Sequence, residues 1–201
     1  MPPREGGKKP NKGGKPAKPK ISRTSAPPGM SLEEWQTQLR RQFGREQKFK
    51  LQNLGDVPAF SDFLVTNPAS RRTYRVTVRG TAPGDNTCTC PDFATNTLGT
   101  CKHVEFTLAK LERSRKAAAE LKAGYRPPHG EVFLRYGSRR QVCYRPPVEE
   151  NPALARVAAK FFDAAGALKL SAAPRFDEFV EHAGKHDPDL RVHYDVLGFL
   201  A

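Results

Sequence analysis

Four side chains that can bind a metal ion lie within sixteen positions of this 201-residue chain. Cys88 and Cys90 form a Cys-x-Cys pair, and after ten intervening residues Cys101 and His103 form a Cys-x-His pair. Side chains two positions apart on an extended segment point to the same side, so each pair can face a single ion. The loop between the pairs is long enough to fold back, and the region must then fold around their meeting point.

The four side chains predict one structural Zn²⁺. Three thiolates and one imidazole suit a tetrahedral ion with no open position, which is typical of a structural and not a catalytic site. Lys102 and the start of a following helix would offset the net charge of −1. A disulfide or redox role for Cys88 and Cys90 is the alternative, although a Cys-x-x-Cys redox motif is absent. The fourth cysteine, Cys143, is predicted to be a small buried side chain in an apolar strand.

A helix-start pattern marks the beginning of the folded part. Ser31 is followed three residues later by Glu34, which is a capping-box pair. Apolar side chains then recur at helical spacing: Leu32, Trp35, Leu39 and Phe43. We therefore predict an amphipathic helix that begins at Ser31 and ends at Gly44, with its tryptophan in the core.

Two β-hairpins are predicted, one on each side of the cysteine region. Residues 59–67 and 73–80 flank a turn-forming PASRR segment, and residues 131–146 turn near Gly137. The strand at 73–80 alternates between an apolar and a basic set: Tyr74, Val76 and Val78 against Arg75, Thr77 and Arg79. We expect the first hairpin to bury one face and to present a basic face to solvent.

A long helix is predicted directly after the Cys-x-His pair. Its apolar positions fall near one stripe, and Gly124 would end it: Val104, Leu108, Leu111, Ala118 and Leu121. Residues 148–201 show helical spacing in two further stretches. The predicted fold class is α+β, with a small zinc-stabilised ββα unit, flanking helices, a second hairpin and a C-terminal helical segment.

The N-terminal residues form a strongly basic segment. Residues 1–29 contain eight Lys or Arg and one Glu, so they carry +7 of the chain's +13. Such a segment buries too little apolar surface to fold, and we predict a disordered tail. The positive charge favours polyanionic partners such as nucleic acid, although a merely solubilising extension stays open. No apolar stretch is long enough for a membrane span, so we expect a cytoplasmic protein without a membrane partner.

The ligand pattern resembles that of a known zinc-finger family. Cys88-Thr-Cys90 followed by Cys101-Lys-His103 is similar to the CxCx(n)CxH signature of the SWIM zinc finger, with a hairpin before it and a helix after it. Residues 31–201 resemble the N-terminal region of bacterial Swi/Snf-type helicases. The resemblance implies zinc binding, a SWIM domain over 30–147, a helical region over 148–201, and contact with DNA or protein. A nucleoid-associated location would follow if the protein binds DNA.

Two functions are expected from these patterns. The first is non-specific, phosphate-directed DNA binding, as an accessory or N-terminal part of a Swi/Snf-type helicase. The expected contacts are basic side chains on the hairpin, beside the metal and on the following helix: Arg71, Arg72, Arg75, Arg79, Lys102, Lys110, Arg113 and Arg115. The alternative is a protein-docking module that recruits or regulates a helicase motor. No P-loop motif occurs, and the ligand set leaves no position for water, so we expect neither an enzyme nor a small-molecule substrate.

Overall fold

The structure, a computed structural model, describes residues 20–201. Most of the predicted basic tail, residues 1–19, lies outside the described residues. Within the described range the α-helices are α1 (Leu32–Glu46), α2 (Pro91–Thr95), α3 (Lys102–Leu111), α4 (Arg115–Ala123), α5 (Pro152–Phe161), α6 (Phe176–Gly184) and α7 (Tyr194–Leu200), with a 3-10 helix at Leu170–Arg175. The strands there are β1 (Lys50–Asn53), β2 (Asp62–Thr66), β3 (Thr73–Thr77), β4 (Thr87–Cys88), β5 (Glu131–Arg135), β6 (Gln141–Arg145) and β7 (Arg191–Val192). The chain is therefore a mixed α and β fold.

The strands form two sheets, and each contains one of the predicted hairpins. The first sheet has the order β1-β2-β3-β4 and is antiparallel throughout, with Phe63 opposite Val76. The second sheet has the order β6-β5-β7, in which β5 and β6 are antiparallel and β5 and β7 are parallel. Both hairpins are confirmed. The short strands β1 and β7 were not predicted, because four- and two-residue strands give little periodic signal.

Helix α1 begins as predicted but ends later. The Ser31 hydroxyl accepts a hydrogen bond from the Glu34 backbone N–H at 3.1 Å, so the predicted cap is confirmed. The helix continues two residues past Gly44 to Glu46. A side chain at Gly44 would press on Glu105 and on the Phe106 backbone, at 2.7 Å from each. This glycine therefore permits close packing of α1 on α3 and does not stop the helix.

The predicted long helix after the metal ligands is wrong in its length. It is broken into α3 and α4 by a turn, in which the Ser114 N–H donates to the Leu111 carbonyl. The break redirects the chain so that both Leu111 and Ala117 are buried in the same core. The predicted stop is confirmed, because Gly124 ends α4 with a φ of +81°.

The buried apolar side chains form two clusters. The first cluster joins the first sheet to α2, α3 and α4. The second cluster contains the inner face of the second hairpin together with the C-terminal helices: Val132, Leu134, Val142, Leu154, Phe161, Phe176, Phe179 and Val196. The second hairpin thus packs with the C-terminal helices. The domain boundaries predicted from the sequence, 30–147 and 148–201, stay a prediction.

The tip of the second hairpin rests on two glycines of the first unit. The Tyr136 N–H donates to the Gly84 carbonyl at 2.9 Å. A side chain at Gly84 or at Gly99 would overlap the Tyr136 carbonyl oxygen, and both glycines have a positive φ, +83° and +67°. Two loops of the metal-ligand region, one before Cys88 and one before Cys101, therefore seat the second unit.

Buried ion pairs complete the joint between the units. Glu131 is only 1% exposed, and its carboxylate accepts from Arg145 at 2.9 Å and lies 2.9 Å from the His193 Nε2. Arg145 also donates to the Arg79 carbonyl at 2.7 Å and pairs with Asp85 at 3.3 Å. Burial would raise the pKa of Glu131, but the hydrogen bond with His193 and the nearby guanidinium charges outweigh it, and the pKa is lowered.

We predict that Gly84→Ala destabilises the protein much more than Gly124→Ala. Both glycines have a φ near +80°, so both substitutions carry a similar backbone strain of about 1 kcal/mol. Only at Gly84 would the new methyl group overlap another backbone, whereas nothing lies within 4 Å of that position at Gly124. Urea denaturation of the two variants measures the difference, and equal losses would contradict the described seating of the hairpin.

We predict that Glu131→Gln lowers the free energy of unfolding at neutral pH by about 2 kcal/mol, because the Arg145 guanidinium loses its carboxylate partner at 2.9 Å and keeps only the longer pair with Asp85. The folded-state pKa of Glu131 is lowered, so its contribution is present above the unfolded-state pKa and is lost as pH falls through the folded-state pKa. The two proteins should therefore converge in acid. Denaturation at several pH values tests this, with Glu178→Gln, an exposed carboxylate, as the control. A difference that persists unchanged in acid would contradict it.

Candidate metal centre and basic surface

Each metal-ligand candidate lies at the end of a secondary-structure element. Cys88 ends β4, where it pairs with Val76 of β3. Cys90 caps α2 and accepts a hydrogen bond from the Phe93 N–H at 3.4 Å, while Cys101 is the N-cap of α3. His103 lies in the first turn of α3. A Cys-x-His pair that straddles a helix start can direct both side chains toward the preceding strand.

The four candidate side chains meet at one buried point. Their ligand atoms all lie within 4.8 Å of one another, and all four residues are buried. The His103 Nδ1 is 4.0 Å from the Cys88 Sγ and 3.9 Å from the Cys101 Sγ. Ligands around a tetrahedral ion with bonds of about 2.3 Å stand about 3.8 Å apart. The cluster could therefore hold one metal ion, and it is the one such group found in residues 20–201.

The thiols affect one another strongly because they are so close. Hydrogen bonds from Cys101 and Cys88 hold the pKa of Cys90 far below its ordinary value. Hydrogen bonds with Cys88 and with Cys90, together with burial, raise the pKa of Cys101. A hydrogen bond with Cys101 lowers the pKa of Cys88, but the interaction with Cys90 and burial outweigh it and raise the pKa to about 12. Three thiolates at this spacing repel one another, and a bound cation would balance their charge.

Aromatic rings and ion pairs hold the surroundings of the cluster. The His103 ring lies between Phe49 and Tyr74, at centroid distances of 5.3 and 4.8 Å. Arg40 of α1 pairs with Asp92, two residues after Cys90, at 2.6 Å. Sequence reasoning missed Phe49 and Arg40 as parts of the site, because no local motif connects them to the cysteines.

The predicted basic contacts are mostly accessible. Six of the eight residues are exposed: Arg71, Arg72, Arg75, Lys110, Arg113 and Arg115. Lys102 is half-buried beside the cluster. None of these seven side chains forms an ion pair within residues 20–201. Arg71 has a φ of +56°, in the tight turn between β2 and β3.

Arg79 is the exception, and its prediction as an exposed contact is wrong. The residue is 2% exposed, and its guanidinium donates to both carboxylate oxygens of Asp195, at 2.8 and 3.1 Å. The Tyr136 hydroxyl donates to the same carboxylate at 2.7 Å. Helix α7 thus covers one end of the face that the strand alternation predicted to be open. The partner is 116 residues away in sequence, so no local pattern could reveal it.

No protein-family model, curated protein or solved structure matches this chain. The resemblance to the SWIM finger therefore depends on the four ligand positions and their spacing. Cys143 is buried on β6, away from the cluster, as predicted from its apolar neighbours. No helix within residues 20–201 has the length and apolar character needed to cross a membrane.

We predict that Cys101→Ser lowers the bound metal to well below one ion per chain and loosens residues 84–115. The substitution removes one of four ligands, and metal binding and local folding are coupled in small sites. Elemental analysis and limited proteolysis measure the two effects. Cys143→Ala is the matched control, because it removes a buried thiol outside the cluster. A Cys101→Ser protein that retains a full equivalent of metal would contradict the assignment.

Proposed function

We propose that the chain is a SWIM-type zinc-finger protein in which Cys88, Cys90, Cys101 and His103 hold one Zn²⁺. The donor set, its burial and the spacing of the ligand atoms support this proposal. When bound, the ion supplies folding energy and neutralises thiolate charge. Four protein ligands leave it no position for a reacting water, so its role is structural.

The proposed activity is non-specific DNA binding through phosphate contacts. The observation that carries it is the set of cations without acidic partners around the metal unit, described above. Arg72 and Lys102 line a cleft of about 430 Å³ that reaches the metal ligands Cys90 and His103. Cations that lack internal partners are free to replace the counterions of a polyanion.

The burial of α3 supports phosphate-directed binding over base readout. Seven of its ten residues are buried: His103, Val104, Glu105, Phe106, Thr107, Ala109 and Leu111. A helix that reads DNA bases must enter the major groove with an exposed face. The accessible cations instead lie on a hairpin turn, on β3 and near helix ends. Phosphate contacts from such positions place a protein on DNA without reading its sequence. By its resemblance, the chain would act as an accessory or N-terminal part of a Swi/Snf-type helicase.

A second candidate function is docking to a protein, including a helicase motor. The observation that favours it is the apolar surface of α7, where three large side chains are exposed: Tyr194, Leu197 and Phe199. Exposed apolar groups concentrated on one short helix are typical of an interaction surface. Binding through this surface would depend little on salt, whereas phosphate binding falls steeply as salt rises.

We predict that the double variant Arg71→Ala/Arg72→Ala binds duplex DNA more weakly and with a smaller salt slope. Loss of two phosphate contacts should reduce the slope of log K against log salt by about 1.8. Fluorescence anisotropy over a salt series measures both quantities. The control is Arg156→Ala/Lys160→Ala, which removes the same charge from exposed positions on α5. Equal effects of the two double variants would contradict a defined DNA surface, and unchanged metal content would show that both proteins are folded.

A further inference from the structure

The outer face of the first sheet forms the floor of a second cleft, of about 410 Å³. Arg75 and Thr77 of β3 lie on this floor, on the face that the sequence predicted to be basic. Tyr125 also lines the cleft, and the C-terminal region contributes Arg191 and Tyr194 to its lining. The cleft therefore lies between the two units, a common position for a ligand site.

The unpaired charges in this cleft are positive in sum. Arg75 and Arg191 are exposed, and neither forms an ion pair with any residue of the described range. Of the two carboxylates that line the cleft, Glu131 is held by Arg145 and by His193. Asp62 accepts a hydrogen bond from the Thr77 hydroxyl and forms no ion pair within residues 20–201. Two unpaired guanidinium groups thus outnumber one unpaired carboxylate, and a guanidinium matches a phosphate well.

The cleft also has an aromatic edge. Tyr194 is 61% exposed and belongs to neither apolar cluster. Its hydroxyl makes no hydrogen bond within residues 20–201. The rings of Phe60 and Tyr125 also line the cleft and lie 4.8 Å apart. An exposed tyrosine beside free arginines provides both parts of a nucleotide site, a surface for stacking a base and a charge for its phosphate.

We propose that this cleft binds one unpaired nucleotide of a single nucleic-acid strand, with the phosphate at Arg75 and Arg191 and the base on Tyr194. The inference rests on the proposed nucleic-acid binding and adds the choice of strand. The volume is near the lower end for ligand sites and suits a single nucleotide. A base inside a duplex is stacked on both faces, so it cannot lie on the tyrosine without leaving the helix.

The test compares single strands with a duplex. Fluorescence anisotropy measures the binding of the full chain to three oligomers of about 15 nucleotides. These are a dT₁₅ strand, an rU₁₅ strand and a duplex of equal length. We expect Tyr194→Ala to weaken single-strand binding by about tenfold or more and to leave duplex binding unchanged, while Tyr194→Phe retains the affinity. The dT and rU strands distinguish DNA from RNA as the source of the nucleotide.

Charge variants test the phosphate part of the proposal. Arg75→Ala/Arg191→Ala should weaken single-strand binding and lower its salt slope by about 0.7, the value for one phosphate of a single strand. The control Arg156→Ala/Lys160→Ala should leave the slope nearly unchanged. Suppose that the wild type binds both duplex and single strands while Tyr194→Ala has no effect, or affects both equally. That result overturns the single-strand inference and leaves the proposed DNA binding in place. If the wild type binds neither, the proposed function fails with it.

Discussion

The meeting of four ligand side chains at one buried point is the constraint on which the first unit depends. The elements that carry the ligands are short, since β4 has two residues and α2 has five. Neither element is long enough to be stable alone, because short helices and isolated strand pairs are marginal in water. Their positions must therefore come from contacts between them. A bound ion would link β4, α2 and α3 through four bonds, and would connect the folding of this region to metal binding.

Helix α1 reinforces the same region from outside. Gly44 allows its backbone to approach α3, and two ion pairs join it to the cluster region, Arg40 with Asp92 and Arg41 with Glu105. Glu105 is largely buried and also accepts from the Thr100 hydroxyl at 2.9 Å. A buried carboxylate with two partners is costly to isolate, so these contacts favour one position of the helix over others. The segment that carries the four candidate ligands is thus held in place by α1 in addition to the packing of the cluster itself.

Local sequence patterns predicted the parts of this architecture that depend on neighbouring residues. The Ser31 cap, both hairpins, the helix stop at Gly124 and the convergence of the four ligands follow from spacing within about twenty positions. The burial of Arg79 could not be predicted, because its partner Asp195 belongs to a distant helix that covers the strand. The break between α3 and α4 was missed for a related reason. Both halves carry good helix formers, and only packing against the core selects the turn.

Helix α7 covers part of the basic face of the first hairpin, so only part of the charge on that face remains available to a ligand. Arg75 and Arg79 lie on the same face of the strand, yet Asp195 neutralises Arg79 and leaves Arg75 free. Arg191, which the C-terminal region contributes, lines the same cleft as Arg75. The buried pair anchors α7, and this anchoring creates the wall on which Tyr194 is presented. Residues of both units line this cleft, so the ion network between the units is a condition for the proposed nucleotide site, while the overall charge of +13 would supply only attraction.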